Sequence, residues 1–168
     1  MKIYNLKKSC LFIVCLFWVT GIEAQNFPDL NFSVPERHEF EISKTHQLET
    51  GHTVTELISR LRTIEGRNIV QINHIDLNAY SLTTEEFLNS FKSDYERQGI
   101  RSSIQEINGV KYILAGEAKN ITDLRGTDNY FMIATTFHNG DAYSIVVKST
   151  IEDQVNWVFR IAKEIRFY

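Results

Sequence analysis

The chain is 168 residues long, with 18 basic and 21 acidic side chains and a formal net charge of −3. Nucleic acids and anionic membrane surfaces attract clustered Lys and Arg, so this charge balance argues against both as partners. The length fits one ordinary domain. Both cysteines, Cys10 and Cys15, lie near the start of the chain, so residues 25–168 contain no thiol, disulfide or cysteine metal ligand.

The first 24 residues have the pattern of a secretory signal peptide. Three lysines precede an apolar run at 11–19, and a short segment then ends in the small residue Ala24. The run is shorter than the roughly 20 residues of a membrane-spanning helix. We therefore predict cleavage between Ala24 and Gln25, an exported (periplasmic or secreted) protein, and no transmembrane span in the mature chain. A lipid anchor on Cys15 is the alternative, although bulky rather than small residues precede that cysteine.

The mature chain is predicted to form a single domain over residues 25–168. Its first residues, 25–31, are expected to be a loose N-terminal segment. Apolar residues then alternate along 32–42, which predicts two short strands interrupted at Pro35. The polar segment 43–52 is expected to be a loop.

Residues 53–66 fit two structures. Helical spacing of apolar residues, a capping box at Thr53 and Glu56, and Gly66 as a stop signal together favour a helix. Alternatively, residues 57–64 and 67–76 form a hairpin that turns at Glu65 and Gly66.

Residues 83–99 predict a helix. Thr83 and Glu86 form a capping box, an apolar stripe follows at helical spacing, and Gly99 supplies the stop. The acidic residues of the first turn also complement the helix dipole.

Two hairpins are predicted from the dipeptides Asn108-Gly109 and Asn139-Gly140. Both match the type I′ turn, in which both central residues have positive φ. A two-residue loop in the first hairpin places Glu106 opposite Lys111. Both faces of the second hairpin are apolar, so we expect it to be covered on both sides.

The last segment, 152–167, carries an apolar stripe at helical spacing and predicts an amphipathic helix. With the helix at 83–99, it supplies two covers for the hairpins. The predicted fold is therefore α+β, an α/β/α sandwich in which helices flank a central antiparallel sheet.

The order of these elements resembles the PsbP-like fold family. The residues that carry the resemblance are Phe32-Ser33-Val34-Pro35, the pair Phe87-Leu88, the hairpin Ile107-Asn108-Gly109, the aliphatic strand 141–150 and the closing amphipathic helix. The resemblance covers about residues 32–168. It implies the same α/β/α sandwich, with residues 53–66 as a strand. It also implies an accessory or binding protein without a shared catalytic site, since fold does not fix function.

Three histidines are the candidate metal or catalytic residues: His38, His74 and His138. The histidine spacings match no structural zinc pattern. We therefore expect His38 and His74 to be ordinary strand residues and His138 to flank the second turn, and we predict no cofactor.

An exposed aromatic patch formed by Tyr130, Trp157 and Tyr168 is the candidate interaction site, because such residues dominate interfaces. The alternative is that Trp157 packs on the edge of the sheet and widens the buried face.

Three functions remain open. The first is an exported, non-enzymatic accessory protein that binds another envelope or extracellular protein. The second is a carrier of a small molecule or lipid in a pocket between sheet and helix. The third is a hydrolase or metal enzyme, which needs one of the three histidines within hydrogen-bond reach of an acid.

Overall fold

The computed structural model describes residues 23–59, 68–77, 82–117 and 130–168. Strands make up most of these residues, and they form two antiparallel sheets. The strands are β1 (Ala24–Phe27), β2 (Phe32–Pro35), β3 (Phe40–Gln47), β4 (Thr53–Ser59), β5 (Asn68–Asp76), β6 (Ser102–Ile107), β7 (Val110–Glu117), β8 (Tyr130–His138), β9 (Asp141–Ser149) and β10 (Arg166–Phe167). The helices are α1 (Thr84–Arg97) and α2 (Trp157–Glu164), with short 3₁₀ turns at Pro28–Leu30, Glu36–His38 and Glu152–Asn156.

The larger sheet has seven strands in the order β3-β4-β5-β9-β8-β7-β6. Both predicted hairpins are confirmed, as β6–β7 and β8–β9. Asn108 and Asn139 each have φ 51°, and the glycine that follows each is also at positive φ, as a type I′ turn requires. Glu106 lies opposite Lys111 as predicted. The second hairpin occupies the centre of the sheet, where both of its strands have neighbours.

One face of the larger sheet forms the main core. It packs against α2 and against the smaller sheet, whose order is β1-β2-β10. The bulkiest fully buried side chains of this core come from β2, from α2 and from the larger sheet. They include Phe32, Ile161, Tyr112, Tyr143 and Ile145.

The opposite face is covered at one end by α1. The capping box predicted for this helix is confirmed, because Glu86 N–H donates to the Thr83 hydroxyl and the Thr83 N–H donates to the Glu86 carboxylate. Phe87 and Leu88 pack against Phe137 and Ile113 in a second, smaller core. Further along the same face, Phe131 and Ile133 are only half-buried, so the expected cover on both sides of the second hairpin holds for only part of its length.

The predicted α/β/α sandwich is wrong. The described chain is mostly strand, in two antiparallel sheets, with only two helices in the described ranges. The predicted helix at 152–167 is one cause of the difference. It begins as a 3₁₀ turn, is α-helical for only eight residues, and returns to extended backbone at Ile165, so that Arg166–Phe167 pair with β2. The segment expected to be loose at 25–31 is the other cause, because β1 pairs with β2 and shares the cover of the main core.

Residues 53–59 form a strand, as the resemblance implied, and the helix favoured by local signals is wrong there. Residues 60–66 lie outside the described ranges. Strand β4 pairs on both sides, with β3 and β5, and this pairing outweighs a helix propensity worth only tenths of a kcal/mol per residue. The predicted loop at 43–52 is wrong in its first half, because β3 extends to Gln47.

Both turn asparagines also hold the C-terminal segment. The Asn108 side chain donates to the Lys163 carbonyl at 2.6 Å, and the Asn139 side chain donates to the Tyr168 carbonyl at 2.7 Å. The two residues that give the hairpins their turns therefore also fix the last turn of α2 and the segment that follows it.

Candidate functional site

His38 is bonded to a carboxylate at the junction between the 3₁₀ turn Glu36–His38 and α2. Its Nε2 lies 2.5 Å from Glu164 Oε2, and its residue is 1% exposed. Trp157 lies at the opposite end of α2 from Glu164, and it contacts the same imidazole with an edge-to-face geometry. The pair joins a turn near residue 38 to a helix more than 120 residues later.

Burial of this pair favours a neutral imidazole. Burial lowers the pKa of His38, and the nearby Arg37 and Arg160 guanidinium groups lower it further, whereas its bond to Glu164 acts in the opposite direction. The pKa of the Glu164 carboxyl is lowered because its hydrogen bonds to His38 and Arg37 outweigh its own partial burial. A neutral His38 that donates its Nε2–H to an ionised Glu164 agrees with the direction of both pKa shifts.

His74 forms a second and more deeply buried pair. Its Nε2 lies 3.0 Å from Asp141 Oδ2, and the two side chains are 7% and 5% exposed. Asn31 donates to the same carboxylate oxygen at 3.4 Å, while the other oxygen, Oδ1, has no partner within the described ranges. The Tyr143 ring lies beside His74, and burial together with the Asp141 charge raises the pKa of Tyr143.

The three candidate histidines do not form one site. The His38 carbonyl accepts from Ser59, whereas His74 lies opposite Thr55, which is four residues or about 13 Å away along β4. His138 flanks the second turn, as predicted, and lies opposite Asp141, but its ring stacks on Phe167.

The chemistry of these pairs is limited by their contacts. In the described part of the chain, the side-chain hydrogen bonds of His38 and His74 go to carboxylates alone. Both histidines therefore lie within hydrogen-bond reach of an acid, the condition stated above for an enzyme. Nucleophilic catalysis by either pair would in addition need a Ser, Thr or Cys side chain bonded to the histidine. Among the described residues, no group of three His, Cys, Asp or Glu side chains is arranged to hold a metal ion.

The aromatic candidates are likewise spread over the molecule. Tyr130 begins β8, and Tyr168 is bonded through its carbonyl to Asn139 at the other end of the same strand, about 27 Å away. Trp157 is half-buried between His38 and Arg160, whose guanidinium lies 4.7 Å from the indole centroid. Tyr168 is the most exposed of the three, at 54%.

Ala24 and Gln25, the residues on either side of the predicted cleavage site, both lie in β1. The Gln25 carboxamide accepts a hydrogen bond from the Phe40 N–H at 3.0 Å and donates one to the Phe40 carbonyl. A neighbouring strand would make the same two bonds, so this side chain closes the outer edge of β3 at its first residue.

The rest of β3 is an open edge. Within the described ranges, β3 has a strand neighbour on one side only. Its residues from Glu41 to Thr45 are exposed, and Ile42 is 56% exposed. This edge has no signal in the sequence, because only the sheet order shows which strand is outermost.

A shallow groove of about 300 Å³ lies between α2 and the far end of the sheet. Leu114, Met132 and Phe159 give it an apolar floor, and residues of the edge strand β6 form its rim together with Arg101. Gly116 also lines the groove, and a Cβ at this position would be 2.7 Å from the Phe131 carbonyl oxygen.

No protein-family model matches the chain, and a search of curated proteins finds no match. The resemblance to the PsbP-like family therefore stays a prediction. No helix in the described ranges has the length and apolar character needed to cross a membrane.

Proposed function

We propose that the protein is an exported, non-enzymatic accessory protein that binds another envelope or extracellular protein through the outer edge of β3. Export is inferred from the signal-peptide pattern of the first 24 residues. The open edge is the observation that carries the binding proposal. Unpaired backbone N–H and C=O groups on an edge strand accept an extended segment of a partner, which adds one more strand to the sheet.

The side chains of β3 suit this mode of binding. Edge strands that avoid pairing often carry charged residues, especially lysine, or proline or a β-bulge. The eight residues of β3 contain no proline, and Lys44 and the bulge beside it limit the stretch open to pairing to the residues on either side. Ile42 offers exposed apolar area beside the edge. A register shift between Ile42 and Lys44 bends the strand there, so the proposed contact is centred on Ile42 or on residues 45–47 rather than spanning the bulge.

A pull-down from the native envelope, using matched variants, tests this proposal. Ile42→Lys places a charge at the proposed contact. Ile69→Lys makes the same change at a similarly exposed isoleucine, 47% exposed, on the inner strand β5. We expect a protein that the wild type and Ile69→Lys both capture and that Ile42→Lys loses.

A second experiment with the captured protein in purified form excludes indirect capture. Its affinity for Ile42→Lys is expected to fall by about tenfold or more relative to Ile69→Lys, since one added charge at an edge contact costs at least about 1.4 kcal/mol. Equal capture and equal affinity for the two variants would overturn the proposal.

Carriage of a small ligand is the second candidate function. It is favoured by the groove at Leu114, Met132 and Phe159, which lies between sheet and helix. Its volume is at the lower end of the range for small-molecule sites, so the ligand would be small.

A further inference from the structure

We propose that the groove between α2 and strands β6–β8 binds an amphiphilic carboxylate, such as a medium-chain fatty acid. The alkyl chain lies on the apolar floor, and the carboxylate pairs with Arg101 at the rim. This inference rests on the carrier function and names its ligand class. It is independent of strand addition at β3, which lies at the opposite edge of the sheet.

The floor of the groove is apolar. Leu114 is buried in the main core, and Met132 and Phe159 pack against that core while remaining partly exposed. Gly116 also lines the groove and adds no side chain to its floor. Among the described residues, apolar surface of Met132 and Phe159 is therefore accessible in a concave site, and an alkyl chain gains free energy by covering it.

Arg101 supplies the charge complementarity. It is the only charged residue among those that line the groove. Every other described arginine is engaged through its guanidinium: Arg37 and Arg160 with Glu164, Arg97 with Asp94, and Arg166 with backbone carbonyls. Within the described ranges Arg101 has no such contact, so its guanidinium is available to a bidentate carboxylate.

A backbone contact defines the rim. The Arg101 carbonyl accepts from the Gly116 N–H at 3.4 Å, which fixes the arginine backbone beside the floor. Ser102 lies opposite Ala115, one position along from Leu114, so its side chain belongs to the other face of the sheet. Arg101 alone therefore supplies the charge at the rim.

Calorimetric titration of the purified protein with dodecanoate below its micelle concentration tests the proposal, with 1-dodecanol as the uncharged probe. The matched variants are Arg101→Gln and Arg97→Gln, the latter in an exposed arginine of α1 four positions away. We expect saturable 1:1 binding of dodecanoate, weakened about tenfold in Arg101→Gln and unchanged in Arg97→Gln, because a charged hydrogen bond is lost in only one variant.

The outcomes separate the ligand class from the carrier function. If dodecanol binds as tightly as dodecanoate, or if Arg101→Gln binds dodecanoate normally, carboxylate recognition is refuted while carriage stands. If neither probe binds, both are refuted. Amide chemical-shift changes in the wild type are expected at Leu114, Gly116 and Phe159, and changes confined to other parts of the molecule would also refute the site.

Discussion

Replacing Asp141 with alanine removes the carboxylate to which the buried His74 imidazole is bonded. Both side chains are less than 8% exposed, so bulk water is excluded from this contact. Leaving a buried polar group without its partner costs about 1–3 kcal/mol, and Asp141 is bonded to Asn31 as well as to His74. A domain is stable by only about 5–15 kcal/mol, so we expect Asp141→Ala to lose a large share of its stability.

Urea denaturation measures this loss. Trp157 is the only tryptophan in residues 25–168, so its fluorescence reports on unfolding of that region. The control is the double variant His74→Leu/Asp141→Leu, which removes both polar groups together. Replacing both partners of such a pair with apolar residues is often nearly neutral, so the double variant is expected to be more stable than Asp141→Ala.

Two results would refute this reasoning. A cost below about 1 kcal/mol for Asp141→Ala would mean that the pair is no stronger than an exposed salt bridge. The single variants His74→Leu and Asp141→Leu complete the comparison. If the double variant loses as much free energy of unfolding as the two single variants added together, the two residues act independently.

Two further predictions concern His38 and Asn139. Because the pKa of His38 is lowered in the folded protein, the unfolded chain binds the proton more readily than the folded protein does. The contribution of neutral His38 to the free energy of unfolding is therefore complete above about pH 6.5 and is lost as the pH falls below it. Urea midpoints at pH 7.5 and 5.5 should therefore differ less in His38→Gln than in the wild type, and equal differences would contradict the prediction. At Asn139, glycine keeps the positive φ but removes the hydrogen bond to the Tyr168 carbonyl. Thermal unfolding should therefore show a loss in the free energy of unfolding of about 0.5–1.5 kcal/mol for Asn139→Gly, and about 1–2 kcal/mol more for Asn139→Ala, which also disfavours positive φ. Equal losses in the two variants would show that the backbone conformation contributes nothing.

The elements that the sequence predicts well are those with local signals. Each hairpin turn is specified by two adjacent residues, and α1 is specified by a capping box and a glycine within 17 positions. Strand β4 carries helix-like local signals, and only its pairing with β3 and β5 makes it a strand. The end of α2 is similar, because Arg166–Phe167 leave the helix to pair with β2, more than 130 residues earlier.

The candidate site was less accessible to sequence reasoning for the same reason. His38 and Glu164 are 126 positions apart, and His74 and Asp141 are 67 apart, so no spacing rule connects either pair. The histidines themselves were recognisable as candidates, but their partners were not. Nothing in the sequence distinguishes Arg101 from the other arginines. Its proposed role in binding depends on a guanidinium without the partner that the other described arginines have.

The pairing of β2 with β10 has a consequence for biosynthesis. Phe32 is fully buried in the finished fold, and its strand neighbour is Phe167. A nascent chain cannot supply that neighbour until residue 167 has been translated, so the smaller sheet gains its third strand only after synthesis of that residue. Until then β2, which contains Phe32, lacks one of its two strand neighbours. A chaperone that binds extended apolar segments can bind this strand during that interval.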